Sequence, residues 1–448
     1  MGAIAGINQE GMEAEVNRML DKLVHRGLAG RRVIETKGAT LGVVWTKAQA
    51  GFVDKMEENG VVLDYVADGH LAHAQFSNGT IELTRDQLGI APLYYGRNRD
   101  GDVCFASEVK ALLEHTREIH ELPPGHRYSG GKLIQYYQLK KKRTLTEDSS
   151  LVAKELRRLL ELSVREFTQK VETVGSWLSG GLDSSSLAAL ACPYAPRLHT
   201  FAVGLPGAKD LDFAAEVAEF INSDHHEIIV NFEELLAVLP DVIYHLESFD
   251  ALLVRSSLTN YLVAQEAAKF VPAVLSGEGG DELFAGYAYL KSLNKDVLAN
   301  ELVDITSRLH NTALQRVDRS ASAHSTIAHV GFLNPKVVEY AFRIPTNYKL
   351  NGGIEKWVLR KAMLGALPKN VLLRTKSKFW QGAGVGDLLA RYAEKQISDS
   401  EFARERILPN GWQLNSKEEL LYYRIFHESF GPIFNLAWMG RTKAIPKK

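Results

Sequence analysis

Two short stretches hold residues whose types and order could do chemistry. The first is Ser179-Gly180-Gly181-Leu182-Asp183-Ser184-Ser185, directly after an apolar run ending at Leu178. Paired glycines let the backbone turn tightly and approach a ligand without interference from Cβ. The N–H groups and hydroxyls that follow would then stand at the start of a helix over Ser186–Ala191, where unpaired donors and the dipole favour an anion. Asp183 places a carboxylate beside that site, which suits a phosphate only if a cation bridges the two. No Gly-Lys-Ser/Thr follows, so this is not a Walker loop. The bland alternative is a Gly-rich turn with a polar helix cap; it fits Ser-Gly-Gly alone far better than the seven-residue run. The second stretch, Ser276-Gly277-Glu278-Gly279-Gly280-Asp281, again follows an apolar run with glycines and acids.

The elements that must position these loops can be read from periodicity. Val174–Leu178, His199–Val203, Glu227–Val230 and Ala273–Ser276 read as short strands, with helices such as Phe213–Ile221 and Ser257–Phe270 between them. Alternation of this kind implies βαβ units and a parallel sheet, whose ligands bind at the carboxyl ends of the strands. Both Gly-rich stretches fall there. A long amphipathic helix carrying Val152, Leu156, Leu159, Leu160, Val164 and Phe167 precedes this region, and the chain from Asn300 onward reads as largely helical.

The first third is different. Strands are expected at Ala3–Ile7, Thr40–Trp45, Val61–Val66, Thr80–Leu83 and Val103–Ala106, with one helix at Met12–His25. This is an α+β pattern with local, mostly antiparallel pairing. Lys140–Thr146 and the polar residues after it read as a solvated linker, and 448 residues exceed what one core usually holds. Two domains are therefore expected, 1–140 and 147–448.

Composition narrows the class. A formal net charge of −1 lacks the basic excess of nucleic-acid-binding domains. No apolar run is long enough to span a membrane, and the start of the chain has no signal-peptide character. Cys104 and Cys192 are too few for a disulfide framework or a cysteine-rich metal site, so a cytoplasmic location is the default expectation. Met1-Gly2 lacks the Ser or Thr that a myristoylation signal needs at position 6, which is Gly6.

Several long motifs in one order carry a resemblance. They are the SGGLDSS run, Phe201–Gly207, Asp241–Glu247, Ser276–Tyr287, Val317-Asp318-Arg319 and Arg374-Thr375-Lys376. Together they resemble the ATP-pyrophosphatase synthetase domain of glutamine-dependent asparagine synthetases. The N-terminal third resembles the class-II glutaminase domain of the same family through Ala3–Ile7, His25-Arg26-Gly27, Arg85–Tyr95 and Phe105–Glu108. The resemblance implies an Ntn-hydrolase-like α+β sandwich followed by a doubly wound parallel sheet of the adenine nucleotide α-hydrolase kind, with a helical C-terminal part. It also implies an ATP-dependent ligase that adenylates a carboxylate and passes it to ammonia or an amine, with aspartate to asparagine as the leading reaction. A homodimer is compatible with it.

Carried over residue by residue, the resemblance places ATP on Leu178, Ser179, Gly180, Gly181, Asp183, Ser184, Ser185, Val203, Gly204, Ser276 and Gly277. Asp183 and Asp281 would hold Mg²⁺, a hard cation suited to two carboxylates and phosphate oxygens. Glu278 stands where the family's carboxylate takes a proton from the attacking amine, a base being needed before the tetrahedral intermediate can collapse to amide. Lys376 matches the lysine that steadies developing negative charge. Arg255 matches an arginine near the phosphates, with structural pairing as the open alternative, while Arg374 and Lys378 read as surface charges.

The chain also departs from the family. Gly2 stands where the nucleophilic cysteine should be, and neither the glutamine-site arginine nor the Asn-Gly-Glu loop has a counterpart. These losses together imply a glutaminase domain that no longer hydrolyses glutamine, with Arg26 and Asp86 retained as scaffold. Gly280 replaces a serine of the second loop, a mild change, while around the acceptor pocket Leu252-Leu253 replace a Thr-Thr pair and Ile327, His329 and Asn334 replace charged residues. Such changes would alter which acid fits, or repack buried polar pairs as apolar ones. β-Lactam synthetase-like relatives, which also lack the cysteine, are the runner-up; they carry tyrosine at the position of Glu278. A non-catalytic ATP-binding relative is the third reading.

Overall fold

Apolar alternation in the first third is resolved as two antiparallel sheets. A computed structural model describes all residues except 1, 53–55, 57–59, 66–67, 376–381, 434 and 443–448. The strands are β1 (Ala3–Ile7), β2 (Gly30–Thr36), β3 (Ala39–Trp45), β4 (Val61–Tyr65), β5 (Leu71–Ser77), β6 (Thr80–Arg85), β7 (Tyr94–Arg97), β8 (Val103–Ala106), β9 (His120–Glu121), β10 (His126–Ser129) and β11 (Lys132–Gln135). One sheet runs β2-β3-β1-β8-β7-β9 and the other β11-β10-β6-β5-β4. They meet where β1 packs on β4 and β5, and the core between them includes Ile4, Leu41, Val62 and Leu83. The anticipated strands are all present. Gly30–Thr36, Leu71–Ser77 and the short strands Tyr94–Arg97, His120–Glu121, His126–Ser129 and Lys132–Gln135 were not anticipated; in the first two, Arg31, Arg32 and His73 interrupt the apolar pattern that marks a strand, and the others are four residues or fewer. The expected helix ends sooner, at Asp21, and continues as a 3₁₀ turn over Val24–Arg26.

The helix Ser149–Thr168 starts where Asp148 accepts a hydrogen bond from the N–H of Ser150. Beyond it lie β12 (Val174–Trp177), β13 (Leu198–Gly204), β14 (Asp224–Ile229), β15 (Ala273–Leu275) and β16 (Ile327–His329). They form a parallel sheet in the order β14-β13-β12-β15-β16. Outward steps on both sides of β12 make its carboxyl end a topological switch point, where ligands bind in such sheets. Helices Leu182–Ala191, Lys209–Ile221 and Ala251–Ala267 pack against β13, and the first also against β12 and β15. β16 lies inside the region expected to be helical; three residues are too few to show a period. β14 begins three residues earlier than its apolar run because Asp224-His225-His226 pairs with β13 despite its polarity.

Lys140–Thr146 is neither helix nor strand and is mostly exposed. Among the described residues, no helix is long and apolar enough to cross a membrane.

Candidate functional site

β12 ends one residue before Leu178, whose N–H donates to the carbonyl of Phe201 at 2.7 Å and so ties the following loop to β13. Gly180 then adopts φ +63, a left-handed conformation that favours glycine, and a Cβ there would stand 2.6 Å from the backbone nitrogen of Ala214. The hydroxyls of Ser179 and Ser184 lie 3.1 Å apart, and the N–H of Ser179 reaches Ser184 Oγ at 3.2 Å. The helix begins at Leu182, four residues earlier than expected, so Asp183 sits in its first turn.

The loop after β15 closes on this one. A Cβ at Gly277 would lie 2.7 Å from the backbone nitrogen of Ser184, so only glycine permits the two loops to touch. At Gly280, a Cβ would fall 2.5 Å from Asp183 Oδ1, which is what the missing serine at this position changes. Asp183 and Asp281 converge on one residue the sequence reading did not single out. The ammonium of Lys356 bonds Asp183 Oδ2 and lies 2.5 Å from Asp281 Oδ1, with its side chain 2% exposed. Lys356 has φ 54 and directly precedes the helix Trp357–Ala362, so its backbone departs from the regular pattern at the point where its side chain turns inward. Two carboxylates arranged around one cation are a hard oxygen donor set, which fits a magnesium ion shared with phosphate oxygens.

A cavity of about 810 Å³ opens on these loops. Leu178, Ser179, Asp183, Ser184 and Val203 line one part of it, and Ser276, Gly277, Glu278 and Asp281 the adjoining part. Gly180, Gly181, Ser185 and Gly204 shape the loops behind that wall. Glu278 pairs with the guanidinium of Arg316, a second residue not singled out from sequence. Behind it, the Glu282 carboxyl is pushed up to about 7 by burial and by the neighbouring Asp281 and Glu278, and it accepts from Tyr287. Leu252 and Leu253 face the same cavity.

Arg255 does not line the cavity; its Nε lies 3.1 Å from Glu418 and its Nη1 3.0 Å from Asp387. Arg374, expected at the surface, is 12% exposed: its guanidinium stacks over Phe213, pairs with Asp210 and donates to the carbonyl of Ser179 at 3.3 Å. It therefore braces the first loop from below. Lys376 and Lys378 lie outside the described residues. Nothing in the sequence around Lys356, which directly precedes the helix Trp357–Ala362, shows that its charge turns inward.

The N-terminal third brings a second set of expected positions together. The Gly2 N–H donates to Asp64 Oδ1 at 2.8 Å, and its carbonyl accepts from Arg26 Nε at 2.7 Å. A Cβ on Gly2 would overlap the carbonyl oxygen of Val44 and stand 2.9 Å from Gln49 Oε1. Arg26 is fully buried and reaches across to the other half of the molecule, with bonds of 2.8 and 3.0 Å to Asp318 and 3.0 Å to Ser322. Asp86 accepts from the backbone N–H groups of Leu88, Ile90 and Ala91. Burial alone would raise its pKa, but the bonds from the His70 ring and Ala91 hold it below the usual range.

Comparison with known proteins adds an independent finding. A family model described as asparagine synthase matches residues 155–303 and 291–431, and one described as a glutamine amidotransferase domain matches 53–157. Asparagine synthetase B (glutamine-hydrolyzing) of Escherichia coli is 38% identical over 77% of this chain and 67% of its own length. Asparagine synthetase (glutamine-hydrolyzing) 3 of Arabidopsis thaliana is 33% identical over 84% and 69%. Among solved structures, an NMN synthetase from Francisella tularensis covers 65% of this chain and 97% of its own at 15% identity and a TM-score of 0.31, a likeness too weak to bear on the site.

Proposed function

The chain belongs to the asparagine synthase family, and on that premise we propose that it is an ATP-dependent, AMP-forming synthetase that joins ammonia to the carboxylate of aspartate. The observation that carries this reading is the convergence of Asp183, Asp281 and Lys356 at the carboxyl ends of β12 and β15, with Glu278 in the same cavity. ATP lies along Leu178–Ser185, with its adenosine towards Val203-Gly204. Asp183 and Asp281 would hold Mg²⁺, which would supply charge neutralisation at the phosphates. A carboxylate oxygen of the acid attacks the α-phosphorus as the bond to the β-phosphate oxygen breaks, and pyrophosphate leaves. Ammonia then attacks the acyl carbon of the adenylate. Glu278 takes the proton from the resulting ammonium, and AMP departs with the electron pair of the C–O bond. Lys356, and Lys376 by resemblance, meet the negative charge that develops on the phosphates. Arg255 is paired with Glu418 and Asp387 and takes no direct part in this reading.

The nitrogen source in this reading is free ammonia. Gly2 offers no nucleophile, and the carbonyl of Val44 stands where a side chain would begin, which supports a glutaminase half (1–140) that serves as a docked scaffold for the synthetase half (147–448). A second reading keeps the same chemistry with a different acid or amine. Leu252 and Leu253 favour it, because they present apolar surface to the cavity where hydroxyls would hold a polar acid. Retention of Glu278 stands against close kinship with β-lactam synthetases.

The test follows AMP and pyrophosphate release from ATP and Mg²⁺ with a panel of acids and either ammonia or glutamine. Aspartate-dependent turnover with ammonia alone is expected. Turnover with glutamine as sole nitrogen source would overturn the scaffold role of the N-terminal half. Turnover only with other acids would establish the second reading.

A further inference from the structure

The amino ends of the parallel strands carry a cluster that the synthetase chemistry does not use. The register sets His199 of β13 opposite Asp224 of β14, and Phe201 opposite His226. Residues two apart on a strand share a face, so His199, Phe201, Asp224 and His226 stand side by side on one face of the sheet. Nδ1 of His199 is 3.1 Å from Nε2 of His226 and 3.2 Å from Oδ2 of Asp224, and the remaining edge from His226 Nε2 to Asp224 Oδ2 is 3.9 Å. All three atoms lie within 4.8 Å of one another.

These edges match a particular demand. A tetrahedral zinc ion with bonds of about 2.0–2.1 Å separates its ligands by about 3.3 Å, and the three observed edges bracket that value. The rings are also held in place: Phe270 packs 4.2 Å from His226 and 6.0 Å from His199, while Phe201 stacks on His226 at 4.8 Å. Ligands already oriented by packing lose little entropy on binding.

We propose that His199, Asp224 and His226 form a binding site for a divalent transition-metal ion of the zinc class, with a fourth position open to water. Two imidazoles and one carboxylate are the donor set this class prefers, whereas magnesium and calcium prefer oxygen alone. Arg197 pairs with Asp224 at 2.5 Å, but its side chain is 69% exposed and turns readily to water when a doubly charged ion competes.

The site lies about 13 Å down β13 from Val203, at 3.3 Å per residue. An ion there cross-links β14, the edge strand of the parallel sheet, to β13. Its effect is therefore on stability rather than on turnover.

Titration of the untagged full chain with Co²⁺, followed by visible d–d absorption and then by displacement with Zn²⁺, tests the proposal. One equivalent of Co²⁺ is expected to bind with the intense spectrum of a four-coordinate ion, and saturating Zn²⁺ should raise Tm. Asp224→Asn and His226→Gln should each weaken binding by about a hundredfold or more, while AMP formation with Mg²⁺ is unchanged. Absence of saturable binding by the wild-type chain overturns the site, whatever the variants do. Binding of equal strength in both variants overturns the ligand assignment. Loss of AMP formation in a folded Asp224→Asn variant overturns the structural role.

Discussion

Glu278 and Lys356 illustrate how much a single side chain depends on what faces it. In sequence Glu278 is an acid in a Gly-rich turn; in the fold it points into the cavity and is gripped by Arg316. The guanidinium of Arg316 holds one carboxylate oxygen, and under the proposed function the other would meet an incoming amine. Glu278→Gln keeps the shape and removes the proposed base. The expected outcome is pyrophosphate exchange into ATP close to wild type, with amide formation slowed by about 10²–10⁴-fold. Equal loss in both assays would assign Glu278 to substrate binding instead. Lys356 has the opposite history. It is one lysine among many in sequence, yet it is buried between two acids. A buried ion pair is costly to form, and removing one partner leaves uncompensated charge. Its retention here is explained by a site that must draw two carboxylates together.

At the scale of elements, the parallel sheet and its loops act as a unit. The loop after β12 can turn only because Gly180 takes φ +63 and because nothing but hydrogen stands between it and the Phe213–Ala214 backbone. Gly180→Ala imposes both a strained backbone and a contact of 2.6 Å with Ala214 N. A loss of about 1–3 kcal/mol of stability is expected, together with a large fall in ATP-dependent turnover. Unchanged melting and unchanged AMP release would refute the account of this turn. Arg374 braces the same loop through Ser179, so the helix Lys209–Ile221, which carries Asp210 and Phe213, takes part in holding the loop after β12.

The whole molecule is joined by a buried seam of charge and histidine. Arg26 reaches Asp318, and Lys110 and Arg319 share Glu108 and Glu247 between the two halves. Nearby, His329 is stacked on Phe167 and bonded to Ser163, with Asp68 of the first half 3.6 Å away. Burial lowers its pKa from 6.5 to about 4, although Asp68 acts in the other direction. The folded chain therefore keeps His329 neutral, while the unfolded chain takes up a proton below about pH 6.5. Stability from this group is full above that pH and falls as pH drops towards 4, by about 3 kcal/mol at the lower limit. Denaturant unfolding at pH 7.5 and pH 5 should show the wild type losing more stability on acidification than His329→Gln. Identical pH dependence in the two proteins would exclude His329 as the source.

Both glycine-rich loops and the parallel sheet that presents them were legible in the chain itself. Glycines, serines and acids after apolar runs describe local backbone needs, and local needs are written in adjacent residues. The strand and helix periods of β1, β3, β8 and the helix Ser149–Thr168 were readable for the same reason. What only the tertiary structure decided were the partnerships between distant residues: Lys356 with Asp183 and Asp281, Arg316 with Glu278, Arg26 with Asp318 and His199 with Asp224 and His226. The electrostatics of such a pair depend on distance and burial, and neither is a property of spacing along the chain. Arg374 makes the point in reverse, since it read as a surface charge until packing gave it a buried acid, and for Arg255, read either as a phosphate neighbour or as structurally paired, packing supplied Glu418.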